Sequence, residues 1–282
     1  LANVKLIECP RDAMQGRHEF IPTEVKTAYL QGLLACGFDT LDFGSFVSPK
    51  AIPQMRDTAA VVAGLDLSQT RTKLLAIVAN RRGAEAALTH PEIDYLGYPF
   101  SVSETFQLRN TNASLADSLE RVKQIQELTV AAGRQMVVYL SMGFGNPYGD
   151  PWNAEVVEQW LERLAALDIT IFQLSDTIGV SSPASISYLF ANLIPRYPEL
   201  EIGAHLHTTP DTWREKVVAA EEAGCRRFDG AIRGFGGCPM ARDELTGNMP
   251  TEHLVDYFGS QATGVDPDRF AASLGASLEV FR

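Results

Sequence analysis

The sequence predicts an α/β fold, a (β/α)8 TIM barrel, on three observations. Eight short apolar segments recur along the chain. Amphipathic stretches of helical period separate them. The length, 282 residues, suits one such barrel. A doubly wound open sheet is the rival. It is weakened because Cys9, Pro10, Arg11 and Asp12 stand where a glycine-rich dinucleotide turn would follow the first strand.

Taken in order, the strands are expected at residues 4–9, 40–45, 73–78, 93–98, 136–141, 171–175, 201–207 and 227–231. Each is short, apolar and rich in β-branched or aromatic residues. The clearest helix covers 114–132, where Leu115, Leu119, Val122, Ile125 and Leu128 fall at helical spacing. Ser114 stands at its N-cap position and Gly133 at its stop. A second helix covers 153–167, with Val156, Val157, Trp160, Leu161 and Leu164 on one stripe. Gly37, Gly133 and Gly224 each sit where a helix should end before the next strand. No linker, low-complexity segment or close repeat interrupts this order. Residues 1–282 therefore read as a single catalytic domain, with 259–282 a C-terminal helical extension packed on the barrel.

Hydrophobic residues make up 45% of the chain, enough for a sizeable core. The net charge of −11, with no clustered Lys and Arg, argues against a nucleic-acid partner. No apolar run is long enough to suggest a membrane partner, and no leader segment is expected. Cys9, Cys36, Cys225 and Cys238 are widely spaced and form no paired motif, which suits free thiols and a reducing, cytoplasmic location.

In a barrel of this class the chemistry sits at the C-terminal ends of the strands. Strand one ends in Arg11 and Asp12, strand two carries Asp42, strand six ends in Asp176, and strand seven ends in His205 and His207. Strand eight leads into Gly234-Phe-Gly-Gly-Cys-Pro239, and Asn248 follows. His205 and His207 are two apart on a strand and so share a face. With Asp12 they offer one carboxylate and two imidazoles, to which Asn248 adds an amide oxygen. Such mixed oxygen and nitrogen ligation suits Mg2+, Mn2+, Co2+ or Zn2+. Cys238, in a loop with three glycines, is placed to deliver a proton from a mobile segment. Each group has a plainer alternative: hydrogen-bonded core histidines, an Asp12–Arg11 ion pair, an unreactive thiol.

Longer motifs resemble one family. Glu8-Cys-Pro-Arg-Asp-Ala-Met-Gln15 resembles the opening motif of 3-hydroxy-3-methylglutaryl-CoA (HMG-CoA) lyases. Ser45-Phe-Val-Ser-Pro-Lys50, Ser103-Glu-Thr-Phe106, Asp176-Thr-Ile-Gly179, His205-Leu-His207 and the glycine-rich loop ending in Cys238 follow in the family's order. The resemblance implies a divalent cation, usually Mg2+ or Mn2+, held by Asp12, His205, His207 and Asn248. It implies Arg11 on the enolate, Cys238 on a mobile loop and retro-Claisen cleavage of HMG-CoA to acetyl-CoA and acetoacetate. It also implies an acyl-CoA substrate and a homodimer.

The sequence departs from the family's pattern in three places. Asp42 replaces the usual Glu, which shortens the carboxylate's reach. Ala13 and Met14 replace Gly-Leu. The spacer between Cys238 and Asn248 is one residue longer. A related 3-hydroxyacyl-CoA therefore stays open as substrate. The rivals are a synthase condensing acetyl-CoA with a 2-oxo acid, an aldolase acting on a 4-hydroxy-2-oxo acid, and a non-catalytic acyl-CoA-binding barrel. The chain runs only a short way past the eighth strand, which favours lyase over synthase.

Overall fold

The computed structural model describes residues 3–237 and 246–281. Eight parallel strands form the barrel: β1 (Lys5–Glu8), β2 (Thr40–Ser45), β3 (Lys73–Ile77), β4 (Ile93–Ser101), β5 (Gln135–Ser141), β6 (Ile171–Asp176), β7 (Glu201–Thr208) and β8 (Arg227–Gly230). Each pairs with its sequence neighbours, and β1 pairs with β8 to close the circle. All eight expected strands are present, within a few residues of their expected bounds. A ninth, β9 (Gly247–Asn248), pairs antiparallel with β7 and was not expected. Two residues carry too little periodicity to be seen in sequence.

The helix 114–132 forms as Leu115–Ala131. Ser114 accepts from the Asp117 N–H, and Asp117 reaches back to the Ser114 N–H, a capping box that satisfies two otherwise orphaned donors. The 153–167 helix forms as Ala154–Ala165, capped by Asn153. Beyond residue 259 the Pro267–Val280 helix lies on the Thr23–Ala35 helix. Phe270 packs edge-on to Phe38 at 6.0 Å, and Phe281 to Tyr29 at 5.9 Å. No described helix is long and apolar enough to cross a membrane.

Strand alternation gives the barrel two faces. Outward-pointing Leu6, Leu41, Leu74, Leu96, Val138, Leu140, Phe172, Leu206 and Phe228 are buried under the helices. The interior is divided. Leu75, Ile77, Tyr95, Val137, Tyr139 and Ile171 form a separate apolar cluster along β3–β6. The facing wall is polar, with Asp42, Gln173, Arg227 and Asp229 all buried. The C-terminal end of that polar wall carries the candidate site.

Candidate active site

Arg11 and Asp12 stand on the short Pro10–Gln15 helix that follows β1. Proline at its first position costs no hydrogen bond there and turns the chain sharply over the barrel mouth. Arg11 Nε donates to both Asp42 carboxylate oxygens at 3.2 and 3.1 Å, and Nη2 donates to Oδ2. Nη1 donates to Asp12 Oδ1 at 2.9 Å and to Gln15 Oε1 at 3.0 Å. One N–H on Nε, two on Nη1 and one on Nη2 are thus engaged, which leaves one of the five guanidinium donors, on Nη2, for a ligand. Burial alone would lower the Arg11 pKa, but the charges of Asp42 and Asp12 outweigh it and hold the guanidinium ionised.

Asp12 is surrounded by donors. Gln15 Nε2 lies 2.7 Å from Oδ1, and Asn248 Nδ2 lies 2.7 Å from Oδ2. Burial works to raise its pKa. The charges of Arg11 and His205 and the Asn248 hydrogen bond win, and the carboxyl is held below its usual range. Asp42 behaves oppositely. It is fully buried, and desolvation outweighs its bonds to Arg11, so its pKa is raised to about 6.

His205 and His207 sit on β7, with Ser175 opposite His205 on β6 and Asn248 opposite His207 on β9. The β7–β9 pairing brings Asn248 to the histidines. His205 Nδ1 lies 2.9 Å from Asp229 Oδ2, which leaves Nε2 as the ring's uncommitted nitrogen. Both ring nitrogens of His207 are buried with no hydrogen-bond partner among the described residues. Burial, then the charge of neighbouring His205, lowers the His207 pKa and keeps its imidazole neutral. Neutral imidazole is the form that ligates a cation. One ligand atom each from Asp12, His205 and His207 lie within 4.8 Å of one another. An orphaned neutral imidazole beside an ionised carboxylate fits a divalent cation, and these residues can hold one.

A second group, Cys9, His205 and Asp229, is equally close. Burial raises the Cys9 thiol pKa well above its ordinary value, and Asp229, Asp42 and Glu8 raise it further. The sulfur therefore stays a thiol and a poor ligand. Cys9 is fully buried, as a packing residue is.

The described start of the glycine-rich loop, residues 234–237, lies against the site. Phe235 O accepts from Asn248 Nδ2 at 2.8 Å. A Cβ added to Gly236, whose φ is +89°, would lie 2.7 Å from both Asn248 Nδ2 and the Asp12 carbonyl oxygen. Only glycine fits that crossing. Cys238, the expected proton donor on this loop, lies outside the described residues.

Asp176 does not join the cluster. Its carboxylate accepts from the Ser181 N–H at 3.1 Å, from the Ser181 hydroxyl, and from Lys216 Nζ at 2.8 Å. Lys216 also donates to the His207 carbonyl at 2.9 Å. Asp176 is thus held by Ser181 and Lys216, and Lys216 ties it to the backbone of β7. Ser103 and Glu104 are likewise structural: Ser103 binds Asp150 and caps its own helix, and Glu104 accepts from the Leu115 N–H. The sequence reading missed Asp229 and Gln173, which lie inside the barrel below the rim. The only signal for Asp229 is its place two residues before Ala231, on the inward row of β8.

Together the barrel and the carboxylate–imidazole cluster at its C-terminal mouth, able to hold a metal ion, are those of a barrel lyase. The chain belongs to the HMGL-like family, whose model matches residues 3–269. It is 36% identical over 246 residues to the hydroxymethylglutaryl-CoA lyase YngG of Bacillus subtilis, covering 87% of this chain and 81% of that protein. It is 33% identical over 273 residues to a 3-hydroxy-3-isohexenylglutaryl-CoA/hydroxymethylglutaryl-CoA lyase of Pseudomonas aeruginosa, covering 93% and 88%. A solved structure of an HMG-CoA lyase from Acinetobacter baumannii in complex with coenzyme A and 3-methylmalate superposes with a TM-score of 0.90. That structure is 29% identical and covers 99% of this chain and 91% of its own.

Proposed function

We propose that this protein is a divalent-metal-dependent carbon–carbon lyase that cleaves HMG-CoA to acetyl-CoA and acetoacetate. The observation that carries the proposal is the pair of unpartnered His207 nitrogens set beside Asp12 and His205. Relatives named as HMG-CoA lyases, one of them solved with coenzyme A, support the substrate class.

Asp12, His205, His207 and Asn248 would hold the cation, with Mg2+ or Mn2+ the best match to their oxygen and nitrogen donors. When bound, the cation polarises the substrate's tertiary hydroxyl and lowers its pKa. Asp12 takes the hydroxyl proton. The C2–C3 bond breaks, C3 becomes the ketone of acetoacetate, and the bonding electron pair passes into the thioester enolate. The free N–H of Arg11 Nη2 stabilises that enolate oxygen. The guanidinium is pre-oriented by Asp42 and Gln15, so little reorganisation is needed at the moment of reaction. A proton then returns to C2 to give acetyl-CoA, and Cys238 is the proposed donor. The glycine loop lying over Asp12 excludes water that would otherwise protonate the enolate early.

The test is to incubate the metal-loaded protein with HMG-CoA and follow both products by mass spectrometry, with and without EDTA. Formation of both products, lost on chelation and restored by Mn2+, is the expected result. The Pseudomonas relative's name motivates a parallel arm with 3-hydroxy-3-isohexenylglutaryl-CoA. Turnover of that substrate alone would move the assignment to the longer acyl chain. Turnover of neither, with Mn2+ bound, would overturn the lyase reading.

A further inference from the structure

Beneath the rim, three inward-facing residues on three adjacent strands form a connected chain. Gln173 on β6 donates through Nε2 to Asp229 Oδ1 on β8, and Asp229 Oδ2 meets His205 Nδ1 on β7 at 2.9 Å. Gln173 and Asp229 are not strand neighbours, because β7 runs between them. The gap is bridged at Gly203. A Cβ at that position would lie 1.8 Å from Gln173 Oε1 and 2.9 Å from Arg227 Cγ. Glycine inside a strand weakens it and often marks a place where another group must pass. Here that group is the Gln173 amide.

The arrangement carries a cost that packing does not explain. Among the described residues, Gln173 Oε1 is buried without a hydrogen-bond partner, and so are Nε and Nη2 of Arg227. A buried amide that leaves its carbonyl unsatisfied gives up the hydration it had in water with nothing in its place. The contact it gains in exchange is the one to Asp229. A carboxylate accepts hydrogen bonds and cannot donate them. With Gln173 Nε2 donating to Oδ1, the other oxygen, Oδ2, faces His205 Nδ1 as an acceptor, so the proton sits on Nδ1, and the amide donating from the far side fixes the rotation of the Asp229 side chain.

We propose that Asp229 and Gln173 are positioning residues that lock His205 in its Nδ1–H tautomer, with Gly203 as the opening through which Gln173 reaches across β7. The lock turns Nε2 toward Asp12 and His207 and orients the ring before any ligand arrives. Partners of this kind hold ligand geometry in metal sites, and their loss typically lowers metal affinity about 10–100-fold. The proposal rests on the ligand role given to His205 above.

The experiment uses the full chain labelled with 15N-histidine, without metal, as wild type, Asp229→Asn and Gln173→Met. Two-bond 1H–15N spectra report which ring nitrogen carries the proton, with the His205 signals assigned by their loss in His205→Gln. Read at alkaline pH, where the imidazole is neutral, the expected result is a pure Nδ1–H form in the wild type and a mixture in both variants. Mn2+ titration followed by EPR should then show affinity weakened by about 10–100-fold in Asp229→Asn and by a smaller factor in Gln173→Met. Folded variants, judged by unchanged circular dichroism, that keep both the wild-type tautomer and the wild-type Mn2+ affinity overturn the proposal. If Asp229→Asn does not fold, Gln173→Met decides, since it removes only a donor and an already unsatisfied carbonyl. A wild type that binds no Mn2+ would refute the metal reading, while the tautomer spectra would still score the lock.

Discussion

The two walls of the barrel interior obey the same strand alternation and do opposite work. Along β3–β6 the inward row is Leu75, Ile77, Tyr95, Val137, Tyr139 and Ile171, an ordinary packed core. Along β6–β8 and on β2 it is polar, with Gln173, His205, Asp229, Arg227 and Asp42. The apolar wall gains stability from area removed from water. The polar wall gives up that gain and leaves Gln173 Oε1 and two Arg227 nitrogens unsatisfied. What it holds in return is one imidazole and one guanidinium in fixed orientations. Stability and chemistry are thus divided by side of the barrel, as well as by top and bottom.

That division is broken most severely at His207. Replacing it with Ala removes a proposed ligand whose two nitrogens have no close hydrogen-bond partner among the described residues. Turnover should fall by more than the roughly 10–100-fold that an outer partner costs. Thermal stability of the metal-free protein should stay the same or rise, because a buried polar group without a partner has been deleted. Mn2+ binding by calorimetry and a melting curve without metal check both halves. A large drop in metal-free stability would show that His207 is a core residue first.

The apolar wall supplies the converse. Leu75 is fully buried in the interior cluster, and Leu75→Ala should destabilise by about 2–5 kcal/mol through lost contacts and a residual cavity. Metal affinity should remain within about twofold of wild type, since the site stands on the other wall. Denaturant unfolding with an Mn2+ titration on the same sample tests this. Weakened Mn2+ affinity would mean that the two walls are mechanically coupled.

The comparison also explains what sequence conveys and what it hides. All eight strands were visible because β-branched and aromatic runs bury both faces, and the 114–132 helix was visible because Ser114 and Asp117 form a local cap. The clustering of Arg11, Asp12, Asp42, His205, His207 and Asn248 followed from rim position once the barrel was assumed. Asp176 shares that rim position, yet its carboxylate is taken by Lys216, forty residues downstream. Whether a rim carboxylate faces substrate or a helix is decided by such distant partners, which no local pattern records. Asp229 and Gln173 were hidden for the same reason. Each looks like one more polar residue in a strand, and their meaning depends on Gly203 between them.

The smallest expected effect lies on the outer side of the polar wall, at Glu8. One oxygen accepts from the Ile232 N–H at 3.0 Å and the other from the Thr251 hydroxyl, so a single buried carboxyl ties the turn that follows β8 to the start of the Thr251–Phe258 helix. Burial raises its pKa to about 8, against the opposing pull of those two hydrogen bonds. The folded state therefore holds the proton more tightly than the unfolded chain, whose Glu titrates near about 4.3. The stability this gives is fully present below the unfolded value. It is lost as pH rises through about 8. Glu8→Gln keeps an acceptor for Ile232 and removes the titration. Between about pH 6 and about pH 9 the wild-type melting temperature should fall by a few degrees more than that of the variant. Parallel curves for the two proteins would show that Glu8 is ionised in the fold and that its two donors outweigh its burial.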